Sequence, residues 1–390
     1  MEQTLIEHKC PQCGGALSFD TSSQKLLCPF CGASFLPIEL LSNDDGLHDK
    51  AASAKQQKQP RTDWQAGEQD GMFVYVCGAC GGEVIGDETL AATACPFCGN
   101  PVVMQRQFQG DLRPDLVIPF KLDKETAKRA FRNNLKGKRL LPKVFKSAAH
   151  IDEIKGVYVP YWLFSADISA KIDYRATRVR SWVVGETEFT ETSYYSVLRG
   201  GNASFANVPV DGSKKMPDDL MESLEPFDVR DAVDFQTAYL AGYLADRYDQ
   251  SEASCRVRAA SRIKKGAETL YADTVRGYAA VKVQSSRIET QAHASQYALL
   301  PVWLLTTKWK GQTYLFAMNG QTGKFVGTLP MDKGAYWRTW ALFGALFAAI
   351  GVAAVLWLHY GCNPRYDPND YPTYVTEQQA ISPVDAEAIL

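Results

Sequence analysis

Eight of the ten cysteines form two copies of one four-cysteine pattern. Each copy consists of two Cys-x-x-Cys pairs separated by an interval of the same length, positions 14–27 in the first copy and 81–94 in the second. One such pair lets two thiolates from a tight turn reach the same ion, and a second pair completes a tetrahedral shell. The sequence therefore predicts two metal sites, one formed by Cys10, Cys13, Cys28 and Cys31 and the other by Cys77, Cys80, Cys95 and Cys98.

Zinc is the metal that this pattern favours, and we expect two Zn²⁺ ions, one in each four-cysteine ribbon. Iron is the main alternative because CPxCG turns also occur in rubredoxins, although the interval between the pairs is short for that family. Redox pairs and disulfides fit less well with a matched duplication and with the polar start at residues 1–10, which lacks a signal-peptide pattern. A closed four-thiolate shell leaves no open coordination position, so we expect a structural role for all eight cysteines.

A long apolar segment lies near the C-terminus. Residues 340–360 read WALFGALFAAIGVAAVLWLHY and contain no Asp, Glu, Lys or Arg. About 20 helical residues span roughly 30 Å, the thickness of the hydrocarbon core of a bilayer. Aromatic residues flank both ends, as is typical of membrane interfaces, and a buried helix in a soluble core is the alternative. The sequence predicts one transmembrane helix over residues 338–360.

The charges that flank this segment predict its orientation. Lys324, Lys333 and Arg338 precede it, whereas Arg365 is the only basic residue in the segment 361–380 that follows it. The positive-inside rule therefore predicts a single-pass protein of the inner (plasma) membrane with its N-terminal domains in the cytoplasm. Residues 361–390 are rich in proline and acids, so we expect a disordered extracytoplasmic tail.

The composition of the rest of the chain predicts a multidomain protein. We expect a first β-type zinc ribbon over residues 1–40, a flexible linker over 41–70 and a second ribbon over 71–105. Ribbons this small bury little apolar surface, so bound metal would supply most of their stability. Residues 106–335 have the pattern of one α+β cytoplasmic domain.

Within residues 106–335, hydrophobic periodicity predicts helices and strands in alternation. A hairpin is expected over 315–326, with its turn at Asn319-Gly320. The segment VPYWLF at 159–164 weakly resembles LPVWLL at 300–305, which leaves an internal duplication and a shared strand pattern both open. The predicted helices cover 124–135, 228–248 and 249–270, and the predicted strands cover 116–122, 158–165, 168–180, 278–283, 299–309 and 313–318.

Motifs of known catalytic sites are missing from the sequence. The five histidines are scattered, and the Gly-Gln-Thr-Gly-Lys segment at 320–324 lacks the first glycine of a phosphate loop. Cys255 and Cys362 stand outside the two cysteine patterns. The basic segment at 121–146 fits a solvated helix face, and contact with anionic lipid headgroups or with an acidic protein partner is the alternative.

Local charge argues against a nucleic-acid partner. Residues 71–105 contain no Lys or Arg, and residues 1–40 contain two basic residues against four acidic ones. A phosphate-binding surface needs basic side chains, and the net charge of −2 supplies no global attraction.

The motifs together resemble the bacterial YdjG-like family of zinc-ribbon membrane proteins. The resemblance rests on the double CPxCG ribbons, VYVPYWLF at 157–164, PVDGSKKMPDDLMESLEPFD at 209–228, YLAGYLADRYD at 239–249 and the segment at 300–330, together with the C-terminal span. It implies a membrane-anchored cytoplasmic adaptor in an envelope-stress system. The partners that it implies are PspA-like or flotillin-like proteins, or another single-span membrane protein.

We therefore expect a non-enzymatic adaptor or scaffold that recruits or organises a partner at the cytoplasmic face of the bacterial membrane. A nucleic-acid-binding zinc-ribbon regulator is one alternative. An enzyme with an unrecognised site in residues 106–335 is the other, and a polar pocket with a perturbed titratable group would favour it.

Overall fold

The computed structural model describes residues 9–37, 63–64, 68–69, 72–86, 94–108 and 112–361. The chain divides into two units, one that ends at Pro330 and one that begins at Met331. The first unit holds the described strands and both four-cysteine groups, and the second holds one long helix.

The described strands are numbered β1 to β14 and the helices α1 to α5 in chain order. The strands are β1 (Ser18–Asp20), β2 (Lys25–Leu27), β3 (Ser34–Phe35), β4 (Phe73–Cys77), β5 (Glu83–Gly86), β6 (Val102–Gln107), β7 (Leu116–Val117), β8 (Lys155–Val184), β9 (Thr187–Asp211), β10 (Val233–Asp234), β11 (Leu244–Asp246), β12 (Ala280–Trp309), β13 (Gln312–Asn319) and β14 (Phe325–Gly327). The helices are α1 (Lys124–Leu135), α2 (Ala148–Ile151), α3 (Asp218–Leu224), α4 (Glu252–Ala272) and α5 (Lys333–Gly361).

The first ribbon is a small antiparallel sheet in the order β1-β2-β3. Its buried side chains, including Phe19, pack against the turn that carries Tyr239 and Ala241. The rings of Phe19 and Tyr239 meet edge to face at 5.3 Å, and the N–H of Phe19 donates to the carbonyl of Ala241. The first ribbon therefore attaches to the body through the face of its sheet.

The second ribbon is part of the main sheet. Its strands β4, β5 and β6 continue an eleven-stranded sheet, because β5 pairs antiparallel with β11 through Val84–Asp246 and Ile85–Ala245. The predicted boundary at residue 105 thus falls inside one hydrogen-bonded sheet. Of the predicted linker, the described Trp64 packs against Phe108 and Phe235, and most of the rest lies outside the described residues.

The central pair of the main sheet is β8 and β12. They run antiparallel from the pair Lys155–Leu304 to the pair Thr177–Ala280. The two similar segments at 159–164 and 300–305 lie side by side here, with Val159 opposite Leu300.

Two modules meet at this pair. The first module consists of β7, α1, β8 and β9, and the second consists of β11, α4, β12 and β13. The short strand of each module pairs in parallel with the long strand of the other, so that β7 joins β12 and β11 joins β8. Corresponding hydrogen bonds follow: Trp162 Nε1 to Gln250 O and Trp303 Nε1 to Leu122 O, and Gly212 N to Pro160 O and Gly320 N to Pro301 O.

Beyond the core, β8, β9 and β12 extend as a three-stranded arm. One face of the arm is covered by α4, whose Ile263 and Ala267 pack against the even-numbered residues of β8, such as Ile172 and Tyr174. The strands predicted at 158–165 and 168–180 are one continuous strand, because β8 pairs with β12 from Lys155 to Thr177 and with β9 from Tyr161 to Val184, across a bulge of β9 opposite Ser165.

The helix predictions succeed at 124–135 and 249–270, where α1 and α4 lie. Both helices begin at a side-chain cap, Asp123 for α1 and Ser251 for α4. The helix predicted over 228–248 is wrong, since this segment forms short 3₁₀ turns and the strands β10 and β11. Gly242 has φ +85°, which ends helical continuation, and the apolar spacing instead reflects packing against two different parts of the core.

The predicted hairpin at 315–326 is confirmed, with β13 and β14 antiparallel on either side of the Asn319 turn. The second unit is the helix α5, which is long and apolar enough to cross a membrane. None of the residues in its most apolar window is buried. Of the tail predicted over 361–390, Gly361 is the last residue of α5, and residues 362–390 lie outside the described residues.

Candidate metal centres

Each four-cysteine group is built from two turns of one design. In every turn the first cysteine donates its N–H to the carbonyl five residues on, and its own carbonyl accepts from the glycine at the fourth following position. That glycine has a positive φ between 68° and 75°, which other residues adopt only under strain. The four glycines are Gly14, Gly32, Gly81 and Gly99.

The eight predicted cysteines come together as two groups of four. Within each group all four sulfur atoms lie within 4.8 Å of one another. In the first ribbon, Sγ of Cys10 and Cys31 are 3.5 Å apart, and Sγ of Cys13 and Cys28 are 3.4 Å apart. In the second ribbon the corresponding distances are 3.4 and 3.7 Å. A tetrahedral Zn–S shell with bonds of about 2.3 Å requires S–S distances of about 3.8 Å, so both groups are close to the size of one ion.

Backbone N–H groups point at several of these sulfurs. Burial opposes ionisation of Cys28, but the N–H groups of Cys31 and Phe30 outweigh it and, with the Cys13 thiol, lower the pKa of Cys28 to about 7. Burial likewise opposes ionisation of Cys77, yet the N–H groups of its own turn lower the pKa of Cys77 to about 7. Each group therefore offers a thiolate near neutral pH, as a zinc ligand must be. The donor set and its size fit one zinc ion in each ribbon.

The CPFC turn is buried against the body in the second ribbon and exposed to solvent in the first. Phe30 and Phe97 occupy equivalent positions in the CPFC turns, and each ring lies against the glycine of the opposite turn, Gly15 or Gly82. Phe97 is 7% exposed and joins the core of the main sheet, whereas Phe30 is 76% exposed.

Hydrogen bonds hold the second ribbon's CPFC turn to the body. The hydroxyl of Thr306 donates to the carbonyl of Pro96, and Lys308 donates to the side chain of Asn100. Lys155 donates to the carbonyl of Ala94. The turn of the first ribbon that carries Phe30 has no such contact in the part of the chain that the structure describes.

Comparison with known proteins shows one extended relationship. The chain is 34% identical over 354 residues to the "Uncharacterized protein YdjG" of Bacillus subtilis (strain 168), which covers 90% of this chain and 98% of the relative. The chain belongs to the YdjG family. No family model matches the chain, and no solved structure matches it.

This YdjG-family protein also holds a buried polar cluster that sequence analysis missed. Asp211, Asp246 and Tyr161 are each at most 2% exposed, and each has a side-chain oxygen without a hydrogen-bond partner among the described residues. Burial raises the pKa of Asp211 to about 7, although the N–H of Ser213 and the charge of Arg258 oppose the shift. Burial also raises the pKa of Asp246 well above its usual range. The pattern Asp-Gly-Ser at 211–213 was the only available signal, and it is typical of an ordinary turn.

The second module has a neutral amide at the position that corresponds to Asp211. Asn319 corresponds to Asp211, since the N–H two residues on donates to its side chain in both modules. The amide of Asn319 also donates to the carbonyls of Leu224 and Pro226, so this polar group is satisfied. The fold therefore accepts a neutral amide where the first module holds a buried carboxyl.

A cleft of about 340 Å³ lies between the first ribbon and the body, and Lys124, Asp152, Lys155 and Trp303 line it. Burial lowers the pKa of Lys155. Its amine is engaged with the carbonyl of Ala94, which gives this lysine a structural task in holding the second ribbon.

Loss of one metal should affect the two ribbons unequally. We expect the purified protein to contain two zinc ions, and Cys28→Ser or Cys77→Ser to remove one of them each. Because β5 pairs with β11, Cys77→Ser should also lower the thermal unfolding midpoint of the main sheet, and Cys28→Ser should lower it much less. Elemental analysis and thermal unfolding measure the two effects. One ion per wild-type chain, mostly iron, or equal destabilisation would contradict this expectation.

The Asp211 carboxyl should make stability fall as pH rises. The carboxyl ionises near pH 3.9 in the unfolded chain and has a pKa of about 7 in the folded protein. Between these pH values the folded state holds the proton that the unfolded state has lost, so the free energy of unfolding falls as pH rises, and it stays at the lower value above pH 7. The difference corresponds to about 4 kcal/mol at most. Asp211→Asn, the residue found at position 319, should therefore gain stability relative to the wild type at pH 8 but not at pH 4. Denaturant unfolding at both pH values measures this, with the exposed Asp219→Asn as control, and a pH-independent difference would refute it.

Proposed function

We propose that this YdjG-family protein is a non-enzymatic, zinc-binding adaptor anchored in the bacterial membrane. Its cytoplasmic unit would recruit or organise a partner at the inner face, and a PspA-like or flotillin-like protein is the partner that the sequence resemblance implies. An envelope-stress role follows from the same resemblance.

The metal sites support a structural role. Four thiolates close the coordination shell, so a zinc ion held there has no position for a substrate or a reactive water. Zinc would instead fix the two CPFC turns as rigid surfaces, since each turn is too short to hold its shape through apolar packing alone.

The exposed Phe30 turn is the observation that carries the adaptor proposal. The equivalent turn of the second ribbon packs Phe97 into the core and accepts a hydrogen bond from Thr306 through the carbonyl of Pro96. The same surface in the first ribbon presents a large aromatic ring to solvent. Aromatic side chains on rigid supports are frequent anchors of protein interfaces. By analogy with Phe97, which packs into the core of this chain, Phe30 would pack into the surface of another protein.

The helix α5 supports the anchoring part of the proposal. Its length, its apolar composition and its exposed side chains fit a single membrane span. Contact of the basic segment at 121–146 with anionic lipid stays a prediction. Two of its lysines form ion pairs, Lys121 with Asp231 and Lys128 with Glu125 and Asp152.

We also infer that the α+β domain arose from a duplicated unit. The matched strand exchange and the matched hydrogen bonds of Trp162 and Trp303 support this inference. The first module differs by its long β9 and by the buried carboxyl of Asp211, so these two features are the places where a specialised role is expected.

Removing the Phe30 ring should weaken recruitment without unfolding the protein. Phe30→Ala in the full-length chain should weaken partner binding at least tenfold, because an interface anchor contributes about 2 kcal/mol or more. Its zinc content and thermal midpoint should stay unchanged, since the ring is solvent-exposed. Membrane recruitment of a fluorescent PspA-like partner and co-purification from gently solubilised membranes measure the effect.

Two matched variants make the test specific. Val257→Ala removes an equally exposed apolar side chain from α4 and should recruit normally. Phe97→Ala should lower the thermal midpoint, because it opens a cavity in the core. Normal recruitment by Phe30→Ala would show that the partner does not bind this turn.

The topology proposal has its own test. In intact cells a membrane-impermeant thiol reagent should label Cys362 and should not label a cysteine introduced as Ser261→Cys, which lies exposed on α4. The native Cys255 does not suit this purpose because it is fully buried. Labelling of Ser261→Cys before lysis would reverse the orientation.

A further inference from the structure

The strand β9 forms one edge of the main sheet. β9 has 25 residues and pairs with β8 alone, so among the described strands none occupies its other side. The corresponding strand of the second module, β13, has eight residues. The fold of the module therefore does not require a strand as long as β9.

This edge also lacks the usual protection against pairing. Natural edge strands are protected by charged residues, prolines or bulges. Between Thr192 and Phe205, β9 carries one charged side chain, Arg199, and no proline or bulge, since its bulge lies beyond this stretch at Ala206 and Asn207. The other long open edge of the arm, on β12, carries Lys282, Arg287 and Glu289.

Two large apolar side chains are exposed on one face of the same stretch. Tyr194 and Leu198 are each 61% exposed. Because they are four residues apart in a strand, they lie on the same face. A strand added to this edge would cover part of both.

We propose that β9 pairs antiparallel with β9 of a second copy of this chain, about a two-fold axis at Tyr195. On a strand edge only alternate residues direct N–H and C=O outward, so antiparallel partners of one sequence must have numbers of like parity. Arg199 can therefore face Glu191 of the second copy but not Glu188. The register that places Arg199 opposite Glu191 puts Tyr195 on the axis.

The remaining pairs of this register are compatible. Thr192 faces Leu198, Ser193 faces Val197, and Tyr194 faces Ser196, so like charges never meet. Tyr194 and Leu198 of the two copies become diagonal neighbours on one face. Neither Glu191 nor Arg199 forms an ion pair within the described chain; Arg199 donates only to two neutral oxygens among the described residues, the hydroxyl of Thr274 and the carbonyl of Leu198. Both side chains are thus available to the second copy.

Charge reversal tests the register in the zinc-loaded, full-length protein in detergent micelles. Light scattering over a concentration series should show a dimer for the wild type. Arg199→Glu and Glu191→Arg should each raise the dimer dissociation constant at least about tenfold, because each places two like-charge pairs across the axis. The double variant Glu191→Arg with Arg199→Glu should restore the wild-type value. Lys171→Glu, on the internal strand β8, makes the same kind of charge change and should have no effect.

A disulfide test locates the axis. In a Cys362→Ser background, Tyr195→Cys should form an intermolecular disulfide under mild oxidation, because the residue on the axis faces itself. Thr192→Cys faces Leu198 and should not. A monomer at every concentration would overturn the proposal, as would a dimer indifferent to both charge reversals or cross-linking at position 192 in place of 195. Ala345→Leu with Ala349→Leu enlarges two small side chains that lie four residues apart on α5. A dimer that is lost only with this pair of changes would assign association to α5 and would also overturn the proposal.

Discussion

The antiparallel pairing of β8 with β12 is the interaction on which the rest of the structure depends. It joins two distant parts of the chain and holds the strands β7 and β11, which each pair with the long strand of the other module. The helices α1 and α4 then receive their positions, because Trp303 and Trp162 bond to the carbonyls just before them. Because the short strand of each module pairs with the long strand of the other, the modules depend on each other for their fold, and we expect pairing of such high sequence separation to form slowly.

The sequence was sufficient where local chemistry decides the outcome. The eight cysteines, the helices α1 and α4 with their caps Asp123 and Ser251, and the turn at Asn319 could be found because spacing, capping and turn residues act over a few positions. The segment 228–248 misled because its apolar residues serve two separate core clusters. The helical spacing of these apolar residues was therefore a coincidence of tertiary packing, and it did not indicate a helix.

Features that depend on contacts between distant parts of the chain could not be predicted from local sequence patterns. The burial of Asp211 depends on what covers the end of β9, and the exposure of Phe30 depends on which face of the first ribbon meets the body. Both ribbons have nearly the same turn, yet one turn is internal and the other faces solvent. Identical local sequence can therefore specify identical local shape while leaving its surroundings to the rest of the chain.

The place of the second ribbon within the main sheet gives its metal a further consequence. β4, β5 and β6 cover the edge of β11, next to the buried Asp246. A ribbon that lost its ion would expose that edge, and an uncovered strand beside an apolar core is a site where chains aggregate. Metal starvation would in this way act on solubility as well as on the exposed turn of the first ribbon, and the protein's lifetime in the cell would follow the supply of zinc.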